Sequence, residues 1–376
     1  MAKNKRRKKR KVMTEAARRK RRIAIARIRA FLVVLLIVGG VVGIVKLNKS
    51  IEVPLSVNAE NYYQIEEGSV PDGDWVEDAD EAFADTTSEL SKYMVARPKL
   101  KEEYPIDMNI LSKYAIVYDV QEDQVLYAKN AEEKCYPAST TKILTASVIL
   151  DNAPEDFIFT AGDELDFVNP ESSLAFVEKG HMLDLETTID ALMLPSGNDA
   201  SYMAAANIGR YILGDEEASP EDSVQAFMDE MNRVAVLMGA ENTHFTAPDG
   251  FHDDDHYTTV LDMLKITLYA RTKPMIRKSV AKPELETTFE AGEDVYWVNS
   301  NKLIHEDSDY YYMYANGFKT GMTDQSGYCV VATANRFDHD IICIVFGAED
   351  SSTRWNETIA LLDAAFVQVR SSKEDS

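Results

Sequence analysis

The chain has 376 residues, of which 45% are hydrophobic, and its formal net charge is −23. That charge hides two opposite parts, because residues 1–29 carry 15 Lys and Arg against one acidic residue, whereas the remainder carries 25 Lys and Arg against 62 Asp and Glu. So acidic a remainder is repelled by nucleic acid, and no nucleic-acid partner is expected.

The N-terminus has the pattern of a membrane anchor. The basic segment 1–29 runs directly into residues 30–45, which contain no charged side chain. Because Arg27 and Arg29 can extend back toward the headgroups, a single tilted helix is long enough to cross the bilayer. The preceding positive charge predicts a single-pass signal anchor in the cell membrane, with a cytoplasmic N-terminus and an extracytoplasmic remainder. A cleavable signal peptide is the alternative, but the small-residue sequence Val57-Asn58-Ala59 lies too far beyond the apolar run.

Residues 46–102 form an acidic extracytoplasmic linker in this prediction. They contain Pro71-Asp-Gly73 and an acidic stretch at 77–85, with little sustained apolar periodicity. A flexible coil of this length spans roughly 40 Å on average, enough to hold a domain away from the bilayer. Residues 103–372 have an ordinary composition and are predicted to fold as one unit of one or two lobes.

Predicted strands stand at both ends of this unit. Residues 114–120 and 124–128 are interpreted as two strands around a Gln-Glu-Asp turn, and 327–336 with 340–347 as a second, strongly apolar hairpin. The segments between them have helical periodicity, and these are 141–150, 185–194, 200–212, 224–238 and 259–270, with 354–369 as a closing helix. The predicted fold is α+β, an antiparallel sheet flanked by helices plus a helical lobe, with a cleft between the lobes.

The first chemical pattern is Ser139-Thr-Thr-Lys142, which follows Pro137-Ala138 at the start of the first helix. At this spacing the two side chains lie on the same helix face, within reach of a hydrogen bond. The apolar residues that follow predict burial, which lowers the pKa of Lys142 so that its neutral amine can take the Ser139 proton. The pattern alone is weak, because a helix N-cap with a solvated lysine also fits it.

The second pattern, Ser196-Gly-Asn198, follows Leu192-Met-Leu-Pro195, so a helix ends at a turn that presents two short polar side chains. The Ser196 hydroxyl can relay a proton toward a departing amine. The Asn198 amide can donate to a substrate carbonyl while its oxygen accepts from Lys142. In isolation, a plain turn explains this pattern equally well.

The third pattern, Lys319-Thr-Gly321, lies just before the second hairpin. A strand edge carrying Lys319 and Thr320, followed by a glycine that permits close backbone approach, suits an extended peptide that ends in a carboxylate. Lys319 would also lower the pKa of a neighbouring Lys142 by like-charge repulsion. An edge-strand lysine that discourages aggregation is the alternative interpretation.

The order of the three patterns is more specific than any one of them, and the set is the signature of penicillin-binding proteins and class A β-lactamases. Segments 136–142, 194–200 and 317–324 resemble the D-alanyl-D-alanine carboxypeptidases of peptidase family S11, the low-molecular-mass penicillin-binding proteins. Segments 243–251 and 299–303 agree as well. The resemblance covers residues 105–370 and implies a β-lactamase/DD-peptidase-like fold with catalytic domain 103–372.

The resemblance also implies a reaction. Ser139 would attack the carbonyl between the two terminal D-alanines of a peptidoglycan stem peptide, with Lys142 as the general base. Ser196 would pass the proton to the departing D-alanine, and Asn198 would position the substrate amide. Water would then hydrolyse the acyl-enzyme, and β-lactam antibiotics would acylate the same serine.

The resemblance also implies which residues bind the substrate. Lys319 and Thr320 would hold the terminal carboxylate, and Gly321 would let the substrate strand approach. The backbone N–H groups of Ser139 and Met322 would form the oxyanion hole. No metal or organic cofactor is implied, and no feature of the sequence predicts an oligomeric state.

Two other functions compete with this interpretation. A β-lactamase would need a carboxylate to activate the deacylating water, typically in a Glu-x-x-Leu-Asn loop, yet the only Leu-Asn pair is Leu47-Asn48 beside the predicted anchor. The middle residue of Ser196-Gly-Asn198 also departs from the Ser-Asp-Asn of β-lactamases. A non-catalytic cell-wall-binding relative is the third possibility, and the intact polar residues of all three patterns argue against it.

Cysteines and histidines offer two further sites to consider. If the second hairpin turns at 337–340, Cys329 and Cys343 are out of register, and all three cysteines are predicted to be free, buried thiols. His252 and His256 are four residues apart, but they follow the turn Pro248-Asp-Gly250 and are not predicted to lie on a helix. A zinc site is therefore not expected.

Overall fold

The computed structural model describes residues 92–289 and 292–374. The predicted basic segment 1–29, the predicted membrane helix 30–45 and linker residues 46–91 lie outside the described residues. Within the part that is described, no helix combines the length and the apolar character needed to cross a bilayer. Tyr93, near the end of the predicted linker, is only 2% exposed and packs against Tyr269. Packing onto the domain therefore begins before residue 103.

The described residues form strands and α-helices that are numbered here in chain order. The strands are β1 (Tyr114–Asp119), β2 (Gln124–Lys129), β3 (Ile158–Thr160), β4 (Met182–Asp184), β5 (Glu284–Thr288), β6 (Asp294–Val298), β7 (Ala315–Thr323), β8 (Gly327–Arg336) and β9 (His339–Ala348). The helices are α1 (Lys142–Asn152), α2 (Leu185–Met193), α3 (Asn198–Leu213), α4 (Pro220–Leu237), α5 (Val260–Ala270), α6 (Pro274–Val280) and α7 (Ser351–Glu374).

Five strands form one antiparallel sheet in the order β2-β1-β9-β8-β7. Strand β1 pairs with β9 from Tyr114 opposite Phe346 to Asp119 opposite Ile341, so the two ends of the domain meet. Strands β8 and β9 are almost fully buried, as expected for central strands covered on both faces. The predicted α+β fold, with terminal strands joined in one sheet, is confirmed.

The sheet separates two apolar cores. On one face, residues of β1, β8 and β9 pack against α7, whose Trp355 and Phe366 are buried. On the other face the sheet contacts the helical lobe, where α1 is buried on nearly every side. Polar N-caps begin several of the lobe helices; Asp184, Ser219 and Thr259 each accept a backbone N–H from the first turn. The two cores leave β7 at the edge of the sheet, beside the helical lobe.

Several local features differ from the sequence-based expectation. The first helix begins as a 3-10 turn, Ala138–Thr141, and becomes α-helical only at Lys142. Strands β3 to β6 and helix α6 were not predicted, because their short segments have weak periodicity. All three cysteines are free and buried, as predicted, and Cys343 lies opposite Ala332 in the sheet.

Candidate active site

Three elements converge at the edge of the sheet: the 3-10 turn before α1, the turn between α2 and α3, and strand β7. Two of them contain a residue in the left-handed backbone region, Ala138 with φ of +49° and Ser196 with φ of +65°. Residues with a side chain adopt this conformation only at a cost, and such outliers concentrate at functional sites. The two turns that carry the first two sequence patterns are thus both held in unusual conformations.

The Lys142 ammonium is the centre of the hydrogen-bond network. Its Nζ lies 3.1 Å from Ser139 Oγ, 2.7 Å from Asn198 Oδ1 and 2.7 Å from the carbonyl oxygen of Asp249. Lys142 itself is fully buried. The structure thus brings together residues of the first two patterns and adds Asp249, which sequence reasoning did not select.

Burial also sets the charge of this lysine. Removal of Lys142 from water is the main reason that its pKa is lowered from 10.5 to about 8. The negative charges of Asp249 and Asp199 raise the pKa in part. A neutral amine has two N–H bonds and one lone pair. If the N–H bonds are donated to Asn198 and the Asp249 carbonyl, the lone pair faces the Ser139 hydroxyl, as general-base catalysis requires.

Ser196 and Asn198 sit on either side of Gly197. Ser196 Oγ is buried and has no hydrogen-bond partner among the described residues, which leaves it available to a bound ligand. The backbone N–H of Asn198 donates to the carbonyl of Ser173 at 2.9 Å. A Cβ at Gly197 would come within 2.6 Å of Ala175 Cβ, so the turn can lie this close to segment 173–177 only with glycine there.

Asp199 fixes that neighbouring segment. Its carboxylate accepts the backbone N–H of Ala175 at 2.9 Å and that of Val177 at 2.8 Å. Burial raises the pKa of this carboxyl, while the N–H donors lower it. Asp199 was missed in the sequence analysis, because its position next to the pattern is also that of an ordinary acidic residue at a helix N-terminus.

Strand β7 carries the third pattern along the edge of the sheet. Lys319 is fully buried, and burial, reinforced by the positive charges of Lys142 and Arg354, holds its pKa well below the usual value. Thr320 Oγ1 lies 2.6 Å from Ser300 Oγ, which belongs to the loop after β6. The region therefore brings together basic side chains and hydroxyl donors, an arrangement that can bind a carboxylate.

Gly321 and Met322 follow on the same strand. A Cβ at Gly321 would lie 2.9 Å from the carbonyl oxygen of Pro137 and 3.0 Å from the backbone nitrogen of Ser139, so glycine permits the strand to lie against the turn that carries Ser139. The Met322 side chain is 54% exposed. Behind the strand, Arg354 Nη1 on α7 donates to the carbonyl oxygens of Gly321 at 3.4 Å and Cys329 at 3.2 Å.

The two histidines considered for zinc lie in different surroundings. His256 is buried and its Nε2 lies 2.8 Å from Thr141 Oγ1, whereas its Nδ1 accepts the N–H of Thr246 at 3.1 Å. His252 packs edge-on against Tyr136. Among the residues that the structure describes, no group of three or more His, Cys, Asp or Glu side chains could hold a metal ion. His256 therefore supports the turn that carries the serine.

Sequence reasoning missed four contributors to this site: the Asp249 carbonyl, Asp199, Ser300 and Arg354. A backbone carbonyl has no sequence signature. Ser300, Asp199 and Asp249 do lie in segments that agreed with the resemblance, 299–303, 194–200 and 243–251, and that agreement was the available signal. Arg354 stands at the start of an amphipathic helix, where an arginine is commonplace.

Comparisons with known proteins agree with this geometry. The family model for D-alanyl-D-alanine carboxypeptidase matches residues 100–350. The D-alanyl-D-alanine carboxypeptidase DacF of Bacillus subtilis is 29% identical over 68% of this chain and 62% of its own length. A D-alanyl-D-alanine carboxypeptidase of Streptomyces sp. strain K15 is 29% identical over 64% of this chain and 82% of its own length.

The crystal structure of the Streptomyces K15 DD-transpeptidase superposes with a TM-score of 0.64 at 27% identity, covering 70% of this chain and 99% of that one. The similarity therefore includes the fold as well as the sequence. This chain spans less than two thirds of the length of some of these relatives, since the match to DacF covers 62% of that protein.

Proposed function

The chain belongs to the D-alanyl-D-alanine carboxypeptidase family, peptidase S11, and from this membership and the site geometry we propose that it is a serine-type D-Ala-D-Ala carboxypeptidase. In this proposal it removes the terminal D-alanine from peptidoglycan stem peptides through an acyl-enzyme on Ser139, and β-lactam antibiotics acylate the same residue. The observation that carries the proposal is the buried Lys142 amine, 3.1 Å from Ser139 Oγ, with a pKa of about 8.

Acylation begins with proton transfer from Ser139 Oγ to the lone pair of Lys142 Nζ. The oxygen attacks the carbonyl carbon of the penultimate D-alanine, and the negative charge that develops on the carbonyl oxygen is bound by the backbone N–H groups of Ser139 and Met322. The carbon–nitrogen bond then breaks. Ser196, whose hydroxyl is buried and unpartnered among described residues, delivers the proton from Lys142 to the departing D-alanine amine.

Substrate position follows from the third pattern. The terminal carboxylate lies beside Lys319 and Thr320, where its negative charge forms an ion pair with the buried Lys319 ammonium. Asn198 holds Lys142 through its Oδ1 and keeps its amide N–H₂ for the substrate carbonyl. In deacylation the same groups activate water, which attacks the ester and regenerates the Ser139 hydroxyl.

Mass spectrometry of the purified protein tests the reaction. The protein is incubated with a pentapeptide ending in D-Ala-D-Ala and, separately, with benzylpenicillin, and Ser139→Ala serves as the control. We expect release of one D-alanine and a persistent penicilloyl adduct on Ser139, both absent from the control. Rapid penicillin turnover without peptide cleavage would make the protein a β-lactamase, and no reaction with either compound would favour a non-catalytic cell-wall-binding protein.

We also propose that the catalytic domain, 103–372, is tethered to the outer face of the cell membrane. The support is the sequence pattern alone: basic residues 1–29, the uncharged segment 30–45 and the acidic segment 46–102. An anchor of this kind keeps the enzyme close to newly made stem peptides, while the acidic linker resists adsorption to anionic lipid.

Fractionation of cells tests the tether. We expect the protein to stay with membranes after alkaline carbonate extraction and to be cut by protease added outside spheroplasts. A variant that lacks residues 2–45 should remain in the cytoplasm. Recovery of the intact sequence in a soluble fraction would contradict an uncleaved anchor.

A further inference from the structure

Two buried thiols lie close to the turn that carries Ser139, and the proposed mechanism uses neither of them. Cys135 stands four residues before Ser139 and is 6% exposed, and Cys329 on β8 is fully buried. Both belong to the apolar core that the sheet shares with the helical lobe. Cys343 belongs to the core on the opposite face of the sheet. The first two thiols therefore share one core, and the sheet separates the third from them.

The side chain of Cys329 points toward the segment that follows Cys135. Cys329 lies directly opposite Gly321 in the pairing of β7 with β8, so side chains at these two positions lie on the same face of the sheet. A Cβ at Gly321 would come within 2.9 Å of the Pro137 carbonyl oxygen. In agreement with this direction, Cys329 Sγ lies 3.8 Å from the carbonyl oxygen of Tyr136, the residue next to Cys135.

Cys135 can also be reached from outside the core. It lines a cleft of about 310 Å³ whose other lining residues include the exposed Lys134, Asp254 and Asp255. Cys329 has no exposed surface. A small molecule that enters the cleft therefore meets the Cys135 thiol first.

The core favours the protonated form of both thiols. Burial raises the pKa of the Cys135 thiol well above its usual value, with a further contribution from the nearby Cys329. Burial also raises the pKa of the Cys329 thiol to about 11. Because thiol–disulfide exchange requires a thiolate, both groups react slowly at neutral pH. A disulfide carries no charge, so the same apolar core accommodates it without an electrostatic cost.

We propose that Cys135 and Cys329 form a redox-sensitive pair, and that a disulfide between them slows the acylation of Ser139. The inference rests on the proposed carboxypeptidase function and extracytoplasmic location, and adds to them a means of regulation. Outside the membrane, oxidising conditions allow disulfides to form and persist. The oxidant in this proposal is a low-molecular-mass disulfide.

Oxidation proceeds in two exchange steps. The Cys135 thiolate attacks one sulfur of the oxidant, which releases one small thiol and leaves a mixed disulfide on Cys135. The Cys329 thiolate then attacks the Cys135 sulfur and releases the second small thiol. The two protein thiols thus lose two protons and two electrons, and the oxidant, reduced by the same two electrons, leaves as two thiols.

The bridge acts on the site through the backbone before Ser139. Cys135 Sγ now lies 3.5 Å from the carbonyl oxygen of Thr258 and must leave it to bond Cys329. The cysteines of a disulfide have Cα atoms roughly 4.4–6.8 Å apart, so the bridge holds the Cys135 backbone against β8. The residues between Cys135 and Ser139 include Pro137, whose ring fixes φ, so this segment has little freedom to absorb a shift.

A shift of this turn changes the proposed oxyanion hole. One of its N–H groups belongs to Ser139 on the turn, and the other belongs to Met322 on β7, which is paired with β8. The distance between the two donors therefore depends on how the turn lies against the sheet. Displacement of reacting groups by about 1 Å can lower a rate by about 10²-fold.

Oxidation of the full-length protein tests the inference. The protein is incubated at mildly alkaline pH with oxidised glutathione or with dithiothreitol, free thiols are alkylated, and linked peptides are identified by mass spectrometry. Acylation of Ser139 by a fluorescent penicillin is measured on the same samples. The variants are Cys135→Ala and Cys329→Ala. Cys343→Ala is the matched control, because it removes a buried thiol from the opposite core.

In the oxidised wild type we expect a pair of peptides linked through Cys135 and Cys329, and an acylation rate lower by about ten- to a hundredfold that dithiothreitol restores. Cys343→Ala should behave like the wild type. Cys135→Ala should keep its acylation rate in oxidised glutathione, because the remaining thiol of the pair is inaccessible. Cys329→Ala should accumulate the glutathione adduct on Cys135, because the second thiol is missing.

Two results in the wild type would overturn the inference, whether or not the variants fold. One is the absence of the linked peptides after oxidation, and the other is their presence with an unchanged acylation rate. Either result leaves the carboxypeptidase intact. Failure of the reduced wild type to release D-alanine or to be acylated would instead refute the proposed function itself.

Discussion

At the scale of single residues, the site buries one lysine, which lowers the pKa of its amine, and keeps the hydrogen bonds of that amine. Lys142 is fully buried, and its Nζ has two acceptors besides the serine, Asn198 Oδ1 and the Asp249 carbonyl oxygen. Both acceptors are formally uncharged, so they orient the amine without stabilising the ammonium as a carboxylate would. The sequence spacing predicted the proximity of Ser139 and Lys142, but the Asp249 carbonyl belongs to a distant loop whose position residue spacing does not define.

This arrangement predicts a pH dependence of acylation. With a pKa of about 8, Lys142 is mostly protonated at pH 6.5 and neutral at pH 9.5, so the rate of acylation of Ser139 should rise with pH through about 8. Stopped-flow acylation by a fluorescent penicillin between pH 6 and 10 measures it. A rate that is flat over this range would contradict Lys142 as the base.

Lys142→Arg provides the matching variant, because it keeps the positive charge but cannot become neutral. We expect acylation to fall by about 10²- to 10⁴-fold, the usual contribution of a general base. The folded state should be preserved in circular dichroism spectra. Wild-type acylation rates in this variant would show that another group takes the serine proton.

His256 acts on stability through its protonation state. Burial, the largest cause, lowers the pKa of His256 from 6.5 to about 3, so the folded protein keeps this ring neutral. The unfolded chain binds a proton at about pH 6.5. Stability from this group is therefore complete above about pH 6.5 and is lost as the pH falls toward 3.

The expected loss between pH 7 and 4.5 is about 2–3 kcal/mol in the free energy of unfolding. Buried Asp199 and Asp249, whose carboxyl pKa values are raised, change stability in the opposite direction over part of this range. The measurement is therefore the difference in urea-unfolding profiles between wild type and His256→Asn, which isolates the histidine. Parallel pH profiles for the two proteins would contradict the neutral, buried state of His256.

At the scale of elements, the sequence predicted those with strong periodicity and missed those that depend on tertiary contacts. The termini of α2, α3 and α5 lie within two residues of the predicted ones. The β5–β6 hairpin escaped prediction because Trp297 is the only buried residue within the two strands, which leaves little apolar alternation to detect. The 3-10 turn that carries Ser139 was missed because its conformation depends on β7, against which it packs.

Packing between α3 and α4 yields a prediction that helix propensity alone would reverse. Replacing a glycine within a helix by alanine usually stabilises it by about 1 kcal/mol. At Gly209, however, a Cβ would lie 1.8 Å from the carbonyl oxygen of Ser223, so the two helices would have to separate. We expect Gly209→Ala to lower the free energy of unfolding by at least about 2 kcal/mol in urea titrations. An increase in stability would show that the helices can move apart at little cost.

At the scale of the whole molecule, the closure of the sheet joins distant parts of the sequence. Strands at the two ends of the domain were predicted from their apolar content, and their meeting in one sheet was inferred from layer architecture. The order of the strands and the position of α7 against the sheet could not be read from the sequence, because both depend on which apolar faces pack together. Arg354 shows the consequence, since it contacts the strand of the third pattern from behind.

The C-terminal helix is therefore expected to be indispensable to the fold. Trp355, Leu361, Leu362 and Phe366 are each at most 1% exposed and cover one face of the sheet. At about 1.5–3 kcal/mol for each buried side chain, truncation after Asp350 removes roughly 6–12 kcal/mol. That loss is comparable to the whole stability of a typical domain, about 5–15 kcal/mol.

We expect the truncated chain to lose cooperative thermal unfolding and penicillin acylation together, although all residues of the three patterns remain. Phe366→Ala is the graded control, because a single cavity costs about 3–5 kcal/mol and should leave a folded, acylable protein with a lower midpoint of unfolding. Acylation at the wild-type rate by the truncated chain would mean that α7 covers a sheet already stable without it. In that case the positions of Ser139 and Lys319 would be set by the five-stranded sheet and the helical lobe, without a contribution from α7.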